Sequence, residues 1–468
     1  MTPRSPFDWH TVLFAFLSKM IDAVPHRLLP KAGLRRDLVA TAADAAAFSV
    51  MVGCGETYIP AFALALGMGP VAAGMMASVP LLAGAFFQLV TPLAVARMGT
   101  NRGWVILCVA VQAISFLPLV YWALRGKANL PELLIAASVY WAAGMASAPA
   151  WSTWIGTLIP VNIRTAYFAH RSRLGQFGIL FGFVVGGIVL QIGEAYDRTL
   201  VAFAVLFSLA ATCRLMSTVC LIACRELERP LGHKPEPGVP PKHMLQQLKT
   251  AVSIMAASPS GALISYLWTF AFAVQCAGPY FTPYMLRELG FSYGAFMLVA
   301  GMGILAKALA LPSLGRLGSR IGSVRLLWIG GLSTIPLALL WLPSSNVGYL
   351  VCVQVLAGVC WASYELAIML LFFDAVGHRE RTGVVTAYNL GLAIATVAGA
   401  VTGGVVLRGM GEDRTAYVTV FAISSLLRLA SLPLLGRVRA IEAHASGFQR
   451  KKQFLEYPPA ANASPPEM

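Results

Sequence analysis

Glu56 and Glu365 are carboxylates set inside long apolar runs. The first stands in SVMVGCGETYIPAFALALG (residues 49–67), after Gly53 and Gly55 and four residues before Pro60. The second stands in CWASYELAI (residues 360–368), beside Trp361 and Tyr364. Such an acid can attract a cationic or amine-bearing solute, bind and release a proton, or pair with a neighbour to hold helices together. None of the seven histidines falls in an apolar run, so carboxylates are the groups best suited to carry a proton there. Around Glu56 the backbone is also unusual. Pro60 has no N–H to give the Glu56 carbonyl, and the glycines soften the same turn. Broken helix of this kind is tolerated in a membrane where it lines a cavity or is buried by protein.

The elements that position these acids follow from composition. Of the 468 residues, 57% are hydrophobic and only 12% charged, with a mean hydropathy of +0.71. Soluble domains carry about 25% charged residues, so the solvent for this chain must be largely lipid. The apolar residues gather into twelve runs of about 20 residues, the length that spans a bilayer as helix. These spans fall near 38–66, 71–96, 103–124, 131–159, 174–192 and 199–222, then near 260–286, 293–315, 324–342, 347–373, 386–407 and 416–436. The runs are continuous rather than alternating, which excludes barrel strands. With the N-terminus in the cytoplasm, most of the 35 Lys and Arg fall in cytoplasmic segments, so both termini are expected inside. The net charge of +15 then reads as topology and attraction to anionic lipid, with no nucleic-acid partner. The fold class is therefore all-α, integral and multi-pass, in an inner or plasma membrane of bacterial type.

Other charged residues lie in or near the spans. Arg214 and Arg428 are expected to snorkel or to pair with an acid on a neighbouring helix. Lys307 could answer Glu56 or Glu365, or bind an anion. Asp44 and Asp374 are expected to form rim pairs with Arg97, Arg102, Arg164 or Arg381. Before the first span, Trp9, Val12, Leu13, Phe16, Leu17, Met20 and Ile21 recur at helical spacing, which predicts an amphipathic helix lying on the cytoplasmic leaflet or on the protein's own underside.

The chain repeats itself. GETYIPAFALALG (55–67) matches GPYFTPYMLRELG (278–290), and RMGTNR (97–102) matches RIGSVR (320–325) at the same displacement. Further on, Gly182, Gly186 and Gly187 match Gly399, Gly403 and Gly404, and Arg214 matches Arg428. Two similar six-helix bundles result, expected at 38–224 and 259–437. A cytoplasmic segment at 1–37 precedes them, a polar, Pro-rich linker at 225–258 joins them, and a disordered tail at 438–468 follows.

A parallel duplication of six spans with both ends inside resembles the major facilitator superfamily of secondary transporters. The resemblance covers roughly residues 38–437 and is most specific in the turns after spans 2 and 8. Arg97, Gly99 and Arg102, and again Arg320, Gly322 and Arg325, sit where the family has its cytoplasmic gate loops; Ala96 and Ser319 replace the usual Asp. Span 5 is similar to the family's antiporter glycine pattern in Gly178, Gly182, Gly186 and Gly187, with Phe183 where Pro is usual. The arginine that drug–proton antiporters of the family carry in span 4 is Tyr140 here, which weakens that mechanism. The resemblance implies that spans 1, 4, 7 and 10 face a central cavity. Glu56 and Tyr58 then stand opposite Gln275, Tyr280 and Tyr284 of span 7, and Glu365, Trp361 and Tyr364 opposite Trp151 and Trp154 of span 4.

The function expected is movement of a small organic solute by alternating access, with proton coupling through the buried acids as one option. An amphipathic solute suits an aromatic cavity with one or two acids. The chain is expected to work as a monomer without cofactor or metal: no Cys or His spacing suits a metal, and no phosphate-binding loop is present. An intramembrane enzyme would need a nucleophile and base that the spans lack. A receptor or assembly protein on the same fold is the alternative.

Overall fold

The computed structural model describes residues 32–226, 259–375 and 381–456, and every regular element in them is helical. The helix expected around Trp9 to Ile21 and residues 227–258 of the linker lie outside the described residues. Eleven helices among those described are long and apolar enough to cross a membrane.

The twelfth run, span 9, is present but broken. It is helical over Ser323–Ser333, then passes through turns to a short 3-10 segment at Leu339–Trp341. Pro336 lacks an N–H and disfavours helical backbone at Ile335, and the regular helix stops just before it. Turn bonds such as Leu340 N to Pro336 O at 3.0 Å carry the chain onward. Span 12 differs in the other direction. Its helix runs Arg414–Glu456, past the boundary expected at 437, through a stretch rich in Ala, Glu, Arg, Lys and Gln, which favour helix.

The repeat seen in the sequence is a repeat of packing. Span 1 packs on spans 5 and 6, span 2 on span 4, and span 3 on span 4; span 7 packs on 11 and 12, span 8 on 10, and span 9 on 10. The glycines of span 5 make the first contact close. A methyl group on Gly178 would lie 2.8 Å from Ser49 Cβ, and one on Gly182 3.0 Å from Cys54 N. In the second half a methyl on Gly403 would lie 2.9 Å from the Tyr280 ring. Small residues let backbones approach where lipid offers no hydrophobic drive for helix association.

Both lead helices break at matching places. Span 1 is helical over Ala32–Cys54, turns as 3-10 helix at Glu56–Tyr58 and resumes at Ile59–Ala65. Span 7 runs Pro259–Ala277 and turns as 3-10 helix at Gly278–Tyr280. The Glu56 carbonyl, deprived of a donor at Pro60, accepts instead from the N–H of Ile59. Past each break a tyrosine ties the helix to its partner: Tyr58 donates to Phe183 O and Tyr280 to Ala400 O, both at 2.6 Å.

The halves meet through spans 5 and 8 and through spans 2 and 11. Among the described residues, the side-chain hydrogen bond and ring contacts that cross between them gather at the end away from the linker. Gly294 N donates to Gln191 Oε1 at 2.6 Å, and Phe296 packs on Tyr58 and Phe183, as Tyr293 does on Phe203. That end is sealed by aromatic side chains.

Candidate functional site

Below the seal, two cavities lie side by side. One, of about 330 Å³, belongs to the first half and is lined from spans 1, 3, 4, 5 and 6. The other, of about 480 Å³, is lined mainly from spans 7, 10 and 11, with Leu81 and Gln88 from span 2. Met145 and Ala148 of span 4 border both, so the two spaces share a wall. Sites for small ligands typically measure about 300–1,000 Å³.

The first cavity is charged. Glu56, Asp44, Arg171 and Arg214 all line it. The break after Cys54 turns the Glu56 side chain toward span 4, where Tyr140 donates to its Oε2 at 2.6 Å. Tyr140 therefore supplies a neutral donor where the resembled drug antiporters carry an arginine. Asp44, one side of which is held by Arg171 Nη2 at 3.0 Å, accepts on the other from Ser217 Oγ at 2.6 Å. Ser217 in turn accepts from Arg214 Nη1 at 2.9 Å, and Arg214 Nε donates to Gln112 Oε1 at 2.8 Å. Arg171 lies over the Trp151 ring and Arg214 over the Phe48 ring. The network joins five of the six helices of this half.

The second cavity is aromatic and, apart from tyrosine hydroxyls, has no ionisable lining. Phe270, Trp361, Tyr364 and Tyr388 form its walls, and Gln88, Gln275, Asn389 and Thr396 add amide and hydroxyl groups. Phe270 and Tyr364 rings lie 4.7 Å apart, and Trp361 meets Tyr364 edge-on.

A model of the Major Facilitator Superfamily matches residues 45–275 and again 263–462, nearly the whole of both halves. The chain belongs to this superfamily. It is thus an integral, multi-pass secondary transporter that works by alternating access, in a family of carriers rather than enzymes. Solved transporters share the fold. A mutant of the nucleoside transporter NupG is 12% identical with a TM-score of 0.62, the match covering 86% of this chain and 99% of that one. The xylose transporter XylE from E. coli, in a partially occluded inward-open conformation, is 12% identical with a TM-score of 0.62, over 85% and 97%. A bacterial homologue of the human lysosomal transporter Spinster, inward-facing and occupied, is 15% identical with a TM-score of 0.59, over 92% and 100%. No curated protein matches the chain in sequence.

The residues singled out in the sequence divide in this superfamily member. Glu56, Trp151, Gln275, Trp361 and Tyr364 line the cavities. Tyr58 and Tyr280 are buried and spend their hydroxyls on helix carbonyls, and Trp154 donates to Arg225 O at 3.1 Å. Glu365 lines neither cavity. It is half exposed and its carboxylate is held by Lys307 Nζ at 2.5 Å, so the acid expected opposite Trp151 is neutralised by span 8. Arg214 and Arg428 do not snorkel; both are buried and reach inward. Arg214 reaches Gln112 near the kink of span 3 at Ser115, between its helical parts Asn101–Ile114 and Phe116–Arg125, and Arg428 reaches Thr334 at the break of span 9. Asp44 pairs with Arg171 of span 5 and Ser217 of span 6 instead of the loop arginines expected; the side chain of Asp374 lies outside the described residues.

In the loops, Gly99 caps the end of span 2 at φ 72° and Gly322 closes span 8 at φ 89°, turns that favour glycine. Arg102 donates to Ile222 O at 2.6 Å, tying its loop to span 6, whereas Arg97, Arg320 and Arg325 are exposed. Arg171, Gln112, Tyr388 and Asn389 were not singled out in the sequence. Arg171 precedes the apolar run that begins near 174, although the helix itself spans Val161–Ala195.

Proposed function

We propose that this superfamily member couples the passage of a small organic solute to a proton carried on Glu56, with the solute held in the two adjoining cavities. One observation carries the reading: the Glu56 carboxylate lines the charged cavity with one oxygen bound by Tyr140 and, among the described residues, no partner on the other. A group in that position can take a proton from the cavity and return it when the halves rock. The Pro60 break supports the same role, since span 1 can bend where the acid sits. With both termini in the cytoplasm, the aromatic seal lies on the outer side and the cavities belong to an inward-facing state. The repeated halves act as two rigid bundles within a single monomer embedded in lipid.

The test uses the full chain in vesicles loaded with a pH-sensitive dye. Solutes from a panel of organic acids, amines and neutral compounds are added outside. Wild-type protein moves protons when its solute is present, and Glu56→Gln inserts normally but loses solute-evoked proton movement. Unchanged proton movement in Glu56→Gln would refute the assignment.

A further inference from the structure

We infer that Arg214 is an anion-recognition residue and that the solute is an apolar monocarboxylate, its body lying in the aromatic cavity. This rests on the proton-coupled reading above and adds the substrate class to it. Arg214 is buried, lines the charged cavity and has no carboxylate in direct contact. Its Nε and Nη1 bind Gln112 and Ser217, its face lies on Phe48, and Nη2 has no acceptor among the described residues. A guanidinium that has left water needs a counter-charge, and Asp44 reaches it only through Ser217 while already paired with Arg171.

Charge balance then selects the ligand. Two guanidiniums and two carboxylates line the first cavity, and the second adds neither. When Glu56 takes a proton, one positive charge is left over. Arg171 is paired directly with Asp44, so Arg214, with no carboxylate in contact and Nη2 free of an acceptor among the described residues, is the group left to balance. A monoanion restores neutrality, so proton and carboxylate enter together. A cationic amine would leave the site positive whichever form Glu56 takes, and a dianionic phosphate would overshoot. Beyond Met145 and Ala148, Phe270, Trp361, Tyr364 and Tyr388 offer an apolar body its place.

Matched triples test the assignment on full-length protein in detergent: an acid, its amide and its amine on one apolar body, such as 4-phenylbutyrate, 4-phenylbutanamide and 4-phenylbutylamine, repeated with indolyl and octyl bodies. Binding is read by thermal shift and by tryptophan fluorescence, since Trp141 and Trp151 border the site. Within at least one triple the acid binds most tightly. Arg214→Gln weakens that acid about tenfold or more and leaves the amide unchanged, and Arg214→Lys recovers part of the loss. If Arg214→Gln fails to fold, the wild-type triples still decide. Amines binding tightest, no acid exceeding its amide, or an acid insensitive to Arg214→Gln would each overturn the inference. Flux separates it from the broader reading: an amine carried with Glu56-dependent proton movement sinks only the substrate class. Acids that bind through Arg214 but never cross sink the transport reading instead.

Discussion

Arg214 and Arg428 occupy matching positions on spans 6 and 12, both buried, and they do different work. Arg428 Nη1 donates at 2.7 Å to the carbonyl of Thr334, an acceptor that the break of span 9 leaves with only a long 3.4 Å turn bond from Leu337 N–H. Its guanidinium is anchored to the scaffold by this bond while its buried Nε has no partner among the described residues, and it lines neither of the two cavities described above. Arg214 meets the matching kink of span 3 through the side chain of Gln112, and the remainder of its guanidinium faces a cavity. The difference shows how a duplicated scaffold can specialise: one copy uses its arginine to repair a broken helix, the other to furnish a charged site. Glu56 and Asp44 complete that site, whereas their repeat partners near Pro279 and Leu267 carry no charge.

The comparison is tested most severely at Asp44. Its side chain is 4% exposed and bridges Arg171 to the Ser217–Arg214 arm. Asp44→Asn leaves two guanidiniums in a low-dielectric space with Glu56 as the one remaining acid of the cavity. Breaking a buried pair this way costs about 3–5 kcal/mol. Thermal unfolding in detergent should show the largest loss of any single change in the charged half. A shift no larger than that of a surface substitution would mean the network is not a structural unit.

A smaller effect is expected at Arg428. Arg428→Met removes a buried charge, which is favourable, and leaves the Thr334 carbonyl with only the long 3.4 Å turn bond from Leu337 N–H, which costs at most about 1–3 kcal/mol. The two nearly offset, so stability should change by under about 2 kcal/mol. Solute affinity should not change, whereas Arg214→Gln changes affinity. If Arg428→Met alters affinity as much as Arg214→Gln does, the halves are not specialised as described.

How much of this was legible beforehand depends on the range of the interaction. The spans and the repeat rest on local composition and were readable, as was the break at Glu56, because Pro60 acts on a carbonyl four residues away. The charged network was not. Asp44 meets Arg171 and Ser217 across 127 and 173 residues of chain, and no spacing rule reaches that far. Glu365 looked like a cavity acid for the same reason: its neighbour Lys307 stands on another helix. Tyr140 was read as a missing arginine, although a phenol can still donate to an acid. Span 9 was the opposite case, since its hydropathy concealed a proline that ends the helix.

The smallest effect concerns what the halves still share. Tyr58 and Tyr280 make the same 2.6 Å bond to a carbonyl of the partner helix, Phe183 O in one half and Ala400 O in the other. Each carbonyl belongs to a helix and is an acceptor there already, so losing the hydroxyl forfeits a neutral hydrogen bond without orphaning the oxygen. Tyr58→Phe and Tyr280→Phe should therefore each cost about 1 kcal/mol. The two values should agree within about 0.5 kcal/mol, the scatter of such measurements. Measured together by thermal unfolding, they calibrate the shared scaffold: equal costs here, beside unequal responses at Arg214 and Arg428, locate the specialisation in the cavity-facing side chains. A Tyr58→Phe cost several times that of Tyr280→Phe would instead place it in the backbone of span 1, where the bend at Glu56 depends on this tie.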